Sequence, residues 1–211
     1  MLDKICDFLI EKMKKEMPNI NGEREEAIRY GLENIIGELP KFFLLLINAA
    51  LLGILDLTLI SFVSILVYRA FSGGFHAKTH LACFILTHVL YIGNIFLSQL
   101  VVYEKIWIKY IIVFAVWVFS MIMIKLYAPA DTENVPILRE KDRRNKRIFS
   151  YITMTITLII SLLIKDRLIS NIIWMGVFLQ TICITRLAYK IMHNKYGYEV
   201  YKNEQHATNI S

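Results

Sequence analysis

Proline and glycine are scarce in this chain, four and nine in 211 residues. That scarcity excludes a disordered or low-complexity protein. No segment recurs at a solenoid period. Cysteine is scarcer still. Cys6, Cys83 and Cys183 are an odd, scattered set, which excludes a disulfide framework. Nor is the N-terminal segment expected to be a signal peptide. Residues 1–17 carry charge throughout, from Asp3 and Lys4 to Lys14, Lys15 and Glu16, with no apolar core and no small-residue cleavage site. Entry into a membrane therefore falls to the apolar runs of the chain itself. Finally, charge is absent over long stretches: residues 81–103 and 148–164 hold no Lys, Arg, Asp or Glu.

What the chain does hold is apolar. Hydrophobic residues make up 56%, against roughly 45–50% in ordinary soluble chains. Long charge-free runs of this kind read as membrane spans. The net charge of +6 does not point to nucleic acid, because Lys and Arg cluster beside the apolar runs, as the positive-inside rule requires.

Residues 1–20 read as an amphipathic helix, with Leu2, Ile5, Cys6, Leu9, Ile10 and Met13 at helical spacing and an end before Pro18. Residues 23–38 read as a second, with Ala27, Ile28, Leu32, Ile35 and Ile36 on its apolar side. Such helices lie on a membrane surface or pack on the rest of the protein. From Phe42 to Tyr68 the only carboxylate is Asp56, so this run is either one tilted crossing or a hairpin turning near Gly53 or Asp56. Asn48 and Asp56 are costly there and are expected to face protein, water or a partner subunit. Spans follow at 81–103 and 106–126, with Lys109 expected to snorkel. A polar loop runs from Tyr127 to about Arg147. Apolar runs at 148–164 and 168–185 close the core. The expected organisation is one membrane-embedded domain over 1–211: amphipathic helices to residue 40, a membrane core over 42–190, and a polar tail over 191–211. The fold class is all-α, with five to six crossings.

Orientation follows from the cations. Arg139, Lys141, Arg143, Arg144, Lys146 and Arg147 make the strongest cytoplasmic signal. Counting crossings puts the island Arg69–Cys83 and the tail after Arg186 on the same side. The turns at 104–105 and 165–167 are then external.

That island, Arg69-Ala-Phe-Ser-Gly-Gly-Phe-His76-Ala-Lys-Thr-His80-Leu-Ala-Cys83, carries the chemistry. Cys83 falls in the first turn of a span, where unpaired backbone N–H groups favour a thiolate. His76 and His80 lie seven and three residues earlier. Gly73-Gly74 suit a turn that brings backbone close to a substrate or leaves N–H groups for an oxyanion. Three readings fit this spacing. The histidines are interfacial and Cys83 is packing; or His76, His80 and Cys83 bind a metal with Asp131 or Glu133 as a fourth ligand; or Cys83 and a histidine form a catalytic pair.

Arg69, Gly73-Gly74-Phe75-His76-Ala77 and Cys83 resemble the signature of the accessory gene regulator B (AgrB) family of Gram-positive bacteria. Tyr127-Ala-Pro-Ala-Asp-Thr-Glu-Asn-Val-Pro-Ile137 resembles its second cytoplasmic loop. The likeness covers nearly the whole chain. It implies a multi-pass cysteine endopeptidase of the cell membrane, acting on the cytoplasmic face, with His76 and Cys83 as the catalytic dyad and no metal or other cofactor. The implied substrate is a small propeptide, AgrD. Cys83 attacks the scissile carbonyl and holds the peptide as a thioester. An internal Cys or Ser of the peptide then closes a thiolactone or lactone, the quorum-sensing signal. Arg69, Gly73, Gly74, Asp131 and Glu133 are expected to bind substrate or support the dyad, Asp131 or Glu133 as a third triad member. Membrane lipids and a second copy of the chain are the other expected partners. Two other classes are a small helical exporter of the peptide and a non-catalytic metal-binding membrane module.

Overall fold

A computed structural model describes residues 2–16, 22–77, 79–133 and 136–208. Pro18 and the side chains of Leu2, Ile5, Ala27, Ile35 and His80 lie outside the described parts. Those residues form helices α1 (Leu2–Glu16), α2 (Gly22–Leu51), α3 (Leu55–Ser72), α4 (His80–Leu100), α5 (Ile106–Tyr127), α6 (Glu140–Leu163), α7 (Arg167–Cys183), α8 (Arg186–Ile191) and α9 (Gly197–Thr208). No strand occurs among the described residues; one isolated bridge links Gly73 and Ala130. The protein is all-α and membrane-spanning. α3, α4, α5 and α6 are each long and apolar enough to cross a bilayer, and Leu39–Leu51 and α7 are shorter apolar helices.

The chain divides at Gly53 into two units, Met1–Gly53 and Ile54–Ser211. In the first, α1 packs on α2. Cys6 and Ile10 are buried, and Lys14–Glu25 and Asp7–Arg29 ion pairs link the two helices. The expected second amphipathic helix and the start of the following apolar run are one helix, α2, which continues through Pro40. The 42–68 run is not a single helix. It breaks at Leu52-Gly53, where Gly53 takes φ 68°, a conformation glycine adopts without Cβ strain.

In the second unit α7 is the central helix, packed against α3, α4, α5 and α6. Its sequence explains the position. Ser170, Asn171, Gly176, Gln180 and Thr181 are all buried, and small or hydrogen-bonding residues are what membrane helices use where they meet. A Cβ on Gly176 would stand 3.0 Å from both Ile65 Cγ1 and Ser64 Oγ, so the missing side chain sets how closely α3 approaches. Asn94 donates to Ser61 Oγ at 2.9 Å and to the carbonyl of Ile172 at 3.0 Å, joining α3, α4 and α7. By contrast α5 turns Ile111, Phe114 and Ile122 outward, as lipid-facing helices do.

Two further expectations change. The basic run is not loop: Lys141 to Arg147 form the opening turns of α6, led by Glu140 and Asp142 in its first turn. Acidic residues there complement the helix N-terminus. Those turns also lengthen a run that looked short for a crossing. Lys109 does not snorkel. It is buried and donates to the carbonyls of Leu162 at 3.3 Å and Ile164 at 2.9 Å, where α6 ends and its last carbonyls lack helical partners. At the same end Asn171 donates to the carbonyls of Ser98 and Val101.

Candidate active site

The opposite end of this unit gathers three connections: α3 to α4, α5 to α6, and the chain after α7. Their joining is done by backbone. Gly73 takes φ 71° and Gly74 φ 144°, both closed to L side chains without strain. A Cβ on Gly73 would fall 2.3 Å from the carbonyl oxygen of Ala130, so glycine here permits contact between two loops of the chain. The Gly74 N–H donates to Ala130 O at 2.9 Å, and the Ala130 N–H to Ser72 O at 2.8 Å. Phe75 N–H donates to Cys183 O at 3.3 Å, and His76 N–H to Asn194 Oδ1 at 3.2 Å. Gly73 N–H closes α3 on Arg69 O at 2.9 Å. The amides of 73–76 are thus engaged within the protein, where the sequence suggested a loop offering them to an oxyanion.

Arg69 faces inward. Its guanidinium donates to Gln180 Oε1 at 3.1 Å and to Phe75 O at 2.7 Å. Gln180, fully buried, returns its Nε2 to Gly73 O at 2.7 Å and to Ser72 Oγ at 3.0 Å. Arg69 and Gln180 therefore brace the glycine turn from below. Phe75 packs against the buried apolar cluster that includes Tyr68, Ala130, Ile184 and Tyr189.

Beyond this anchor the chain emerges. His76 is exposed on the irregular segment 74–77. Thr79 is the N-cap of α4, its side chain accepting from Ala82 N–H at 3.2 Å. Cys83, partly buried, donates its own N–H to Thr79 O at 2.9 Å and so belongs to the first turn. His76 and Cys83 stand on either side of the cap, one on irregular chain and one on the helix. His80 begins α4.

Asp131 is not open to solvent. Its side chain is 1% exposed and Oδ2 accepts from Arg143 Nη1 and from Ile137 N–H, each at 2.9 Å. Oδ1 has no partner among the described residues. Arg143 also lies over the ring of Tyr198, 4.2 Å from its centroid, and Arg147 Nε donates to Ala128 O at 2.7 Å. Basic residues of α6 thereby fasten the α5–α6 loop. Glu133 is exposed. Among the described residues no three His, Cys, Asp or Glu side chains gather closely enough to share a metal ion.

The segment after α7 completes the cluster and was not legible beforehand. Tyr189, buried on α8, donates its hydroxyl to Ala130 O at 2.8 Å and to Asp131 O at 3.1 Å. Its ring stacks on Tyr196 with centroids 4.1 Å apart, and Tyr196 donates to Ile184 O at 2.8 Å. Burial pushes both phenols well above the usual tyrosine range, so they act as neutral donors. Gly197 sits so tightly that a Cβ would meet Thr132 O at 2.3 Å. Only Gln180 carried a sequence signal: an amide inside a charge-free run is expensive in lipid and belongs on the protein-facing side.

A family model described as Accessory gene regulator B matches residues 6–184. The chain is 32% identical over 204 residues to a protein of Listeria monocytogenes serotype 4a (strain HCC23) named "Putative AgrB-like protein", covering 95% of each. A protein of the same name in Clostridium acetobutylicum is 24% identical over 200 residues, covering 93% of this chain and 91% of that one. No solved structure matches.

Proposed function

The chain belongs to the accessory gene regulator B family, which serves quorum sensing, and we propose that it is a cysteine endopeptidase with Cys83 as nucleophile and His76 as its base. The observation that carries this reading is the placement of the two residues around one helix cap, on a loop braced by Arg69, Gln180 and Ala130. A rigid support is what a nucleophile–base pair needs, since misplacement by about 1 Å can cost roughly a hundredfold in rate.

The substrate is a small AgrD-like propeptide. His76 takes the Cys83 proton and the thiolate sulfur adds to the scissile carbonyl. The C–N bond breaks, the protonated imidazole returns its proton to the leaving amine, and the N-terminal part remains as a thioester on Cys83. A thiol or hydroxyl inside that part gives its proton to His76 and adds to the thioester carbonyl; the Cys83 thiolate leaves as the ring closes and takes that proton back from the imidazolium. Hydrolysis competes with closure, and a site at a membrane edge keeps water scarce. The protein lies in the cell membrane in this reading, and the cations of α6 support an orientation with the site toward the cytoplasm. Lipids are the surrounding partner, and a homodimer is the assembly we propose.

Reconstituted protein and its propeptide provide the test. Cys83→Ser and His76→Gln should abolish release of the C-terminal fragment while the propeptide still binds. A trapped thioester should map to Cys83 by mass spectrometry. Processing by Cys83→Ser at the wild-type rate would exclude the mechanism.

A further inference from the structure

The backbone of His76 has a partner that no helix supplies. Asn194 Nδ2 donates to His76 O at 2.8 Å, and Asn194 Oδ1 accepts from His76 N–H at 3.2 Å. One carboxamide thus holds both polar groups of a single residue, as a neighbouring strand would. A side chain must present a donor and an acceptor side by side to do so, which Asn provides and Asp does not.

Asn194 is itself held. Its N–H donates to Tyr189 O at 2.9 Å, and Nδ2 also reaches Met192 O at 2.9 Å. His193 before it takes φ 52°, a left-handed conformation uncommon outside glycine. Such a conformation persists when its surroundings over-determine it. Those surroundings are Tyr189, tied to Ala130 and Asp131, and Tyr196, stacked on Tyr189. His76 is an exposed residue, and the position of its backbone sets the region its ring can reach. Cys83 is fixed separately, by α4 and its cap. Their mutual geometry therefore depends on what fixes residue 76.

Resting on the dyad reading above, we propose that Asn194 is a positioning residue for His76, and that the segment after α7 thereby sets the alignment of the base with Cys83. Loss of Asn194 lets His76 sample more conformations. Acylation slows, while propeptide binding, which needs no aligned base, persists.

The test uses the full-length chain in lipid vesicles with its propeptide. The readouts are kcat, KM and the rate of Cys83 alkylation by iodoacetamide at neutral pH. Asn194→Leu keeps the volume and removes both bonds. It should lower kcat by roughly ten- to a hundredfold, leave KM within about twofold, and slow alkylation toward the rate of His76→Ala. Asn194→Gln, which keeps the carboxamide, should recover part of the loss. Wild-type kcat and alkylation in Asn194→Leu, or a rise in KM with kcat unchanged, overturns the role of Asn194 and leaves the dyad standing. If His76→Ala changes neither cleavage nor alkylation, the dyad fails and this inference falls with it. Should Asn194→Leu not fold, Asn194→Asp keeps the shape and the bond from His76 N–H but sets a carboxylate against His76 O. A lowered kcat there supports the role, and wild-type kcat refutes it.

Discussion

Gln180 Nε2 donates to the carbonyl oxygen of Gly73 at 2.7 Å, joining residues 107 apart in the chain. The same side chain accepts from Arg69 and donates to Ser72. Gln180→Leu removes all three bonds and leaves buried groups without partners, each worth about 1–3 kcal/mol. The expected result is a lower Tm in detergent together with loss of propeptide processing. Gln180→Glu keeps the acceptor for Arg69 but sets a carboxylate against Gly73 O, so it should lose processing with a smaller drop in Tm.

Gly73→Ala carries two costs. The residue sits at φ 71°, and the new Cβ would lie 2.3 Å from Ala130 O. Left-handed strain alone is about 1–3 kcal/mol, and the clash adds separation of the two loops. Gly53→Ala is the control, since φ 68° imposes similar strain while nothing lies within 4 Å. Processing should disappear in the first variant and survive in the second.

Asp131, buried, pairs with the partly exposed Arg143 at 2.9 Å, their side chains 1% and 16% exposed. Removing one partner of such a pair costs about 3–5 kcal/mol, because a charge remains buried alone. Arg143→Met should therefore destabilise more than the double variant Asp131→Asn/Arg143→Met. Thermal unfolding of the four members of this cycle measures the difference. Equal Tm values for the single and double variants would show that the pair contributes nothing.

The spans, their order and the polar island could be read from the sequence, because hydropathy and charge are local signals. The His76 to Cys83 interval could be read because it is short. The partners that fix that interval could not. Gln180 and Asn194 act through hydrogen bonds to backbone 107 and 118 residues away, and no spacing rule announces such bonds. The central position of α7 was hidden for a related reason. Its run is apolar enough to resemble a lipid-facing span, and only Ser170, Asn171, Gly176 and Gln180 together mark it as interior. The opening of α6 resembles a loop because its cations dominate, although Glu140 and Asp142 after Pro136 suit a helix start.

Two sets of hydrogen bonds assign the ends of the second unit. Lys109 on the carbonyls of Leu162 and Ile164, and Asn171 on those of Ser98 and Val101, bring the 104–105 and 164–166 turns to one end. Gly74 on Ala130, and Asn194 on His76, bring the basic loops to the other. Lys and Arg resist translocation, so the end bearing Arg139, Lys141, Arg144 and Lys146 is expected inside. Because the two ends are tied separately, one labelled position at each reports the orientation of the unit. In a background lacking the native cysteines, Glu104→Cys should react with a membrane-impermeant maleimide on intact cells. Arg144→Cys should react only after permeabilisation. Labelling of Arg144→Cys on intact cells would put His76 and Cys83 outside, out of reach of a propeptide that has not been exported.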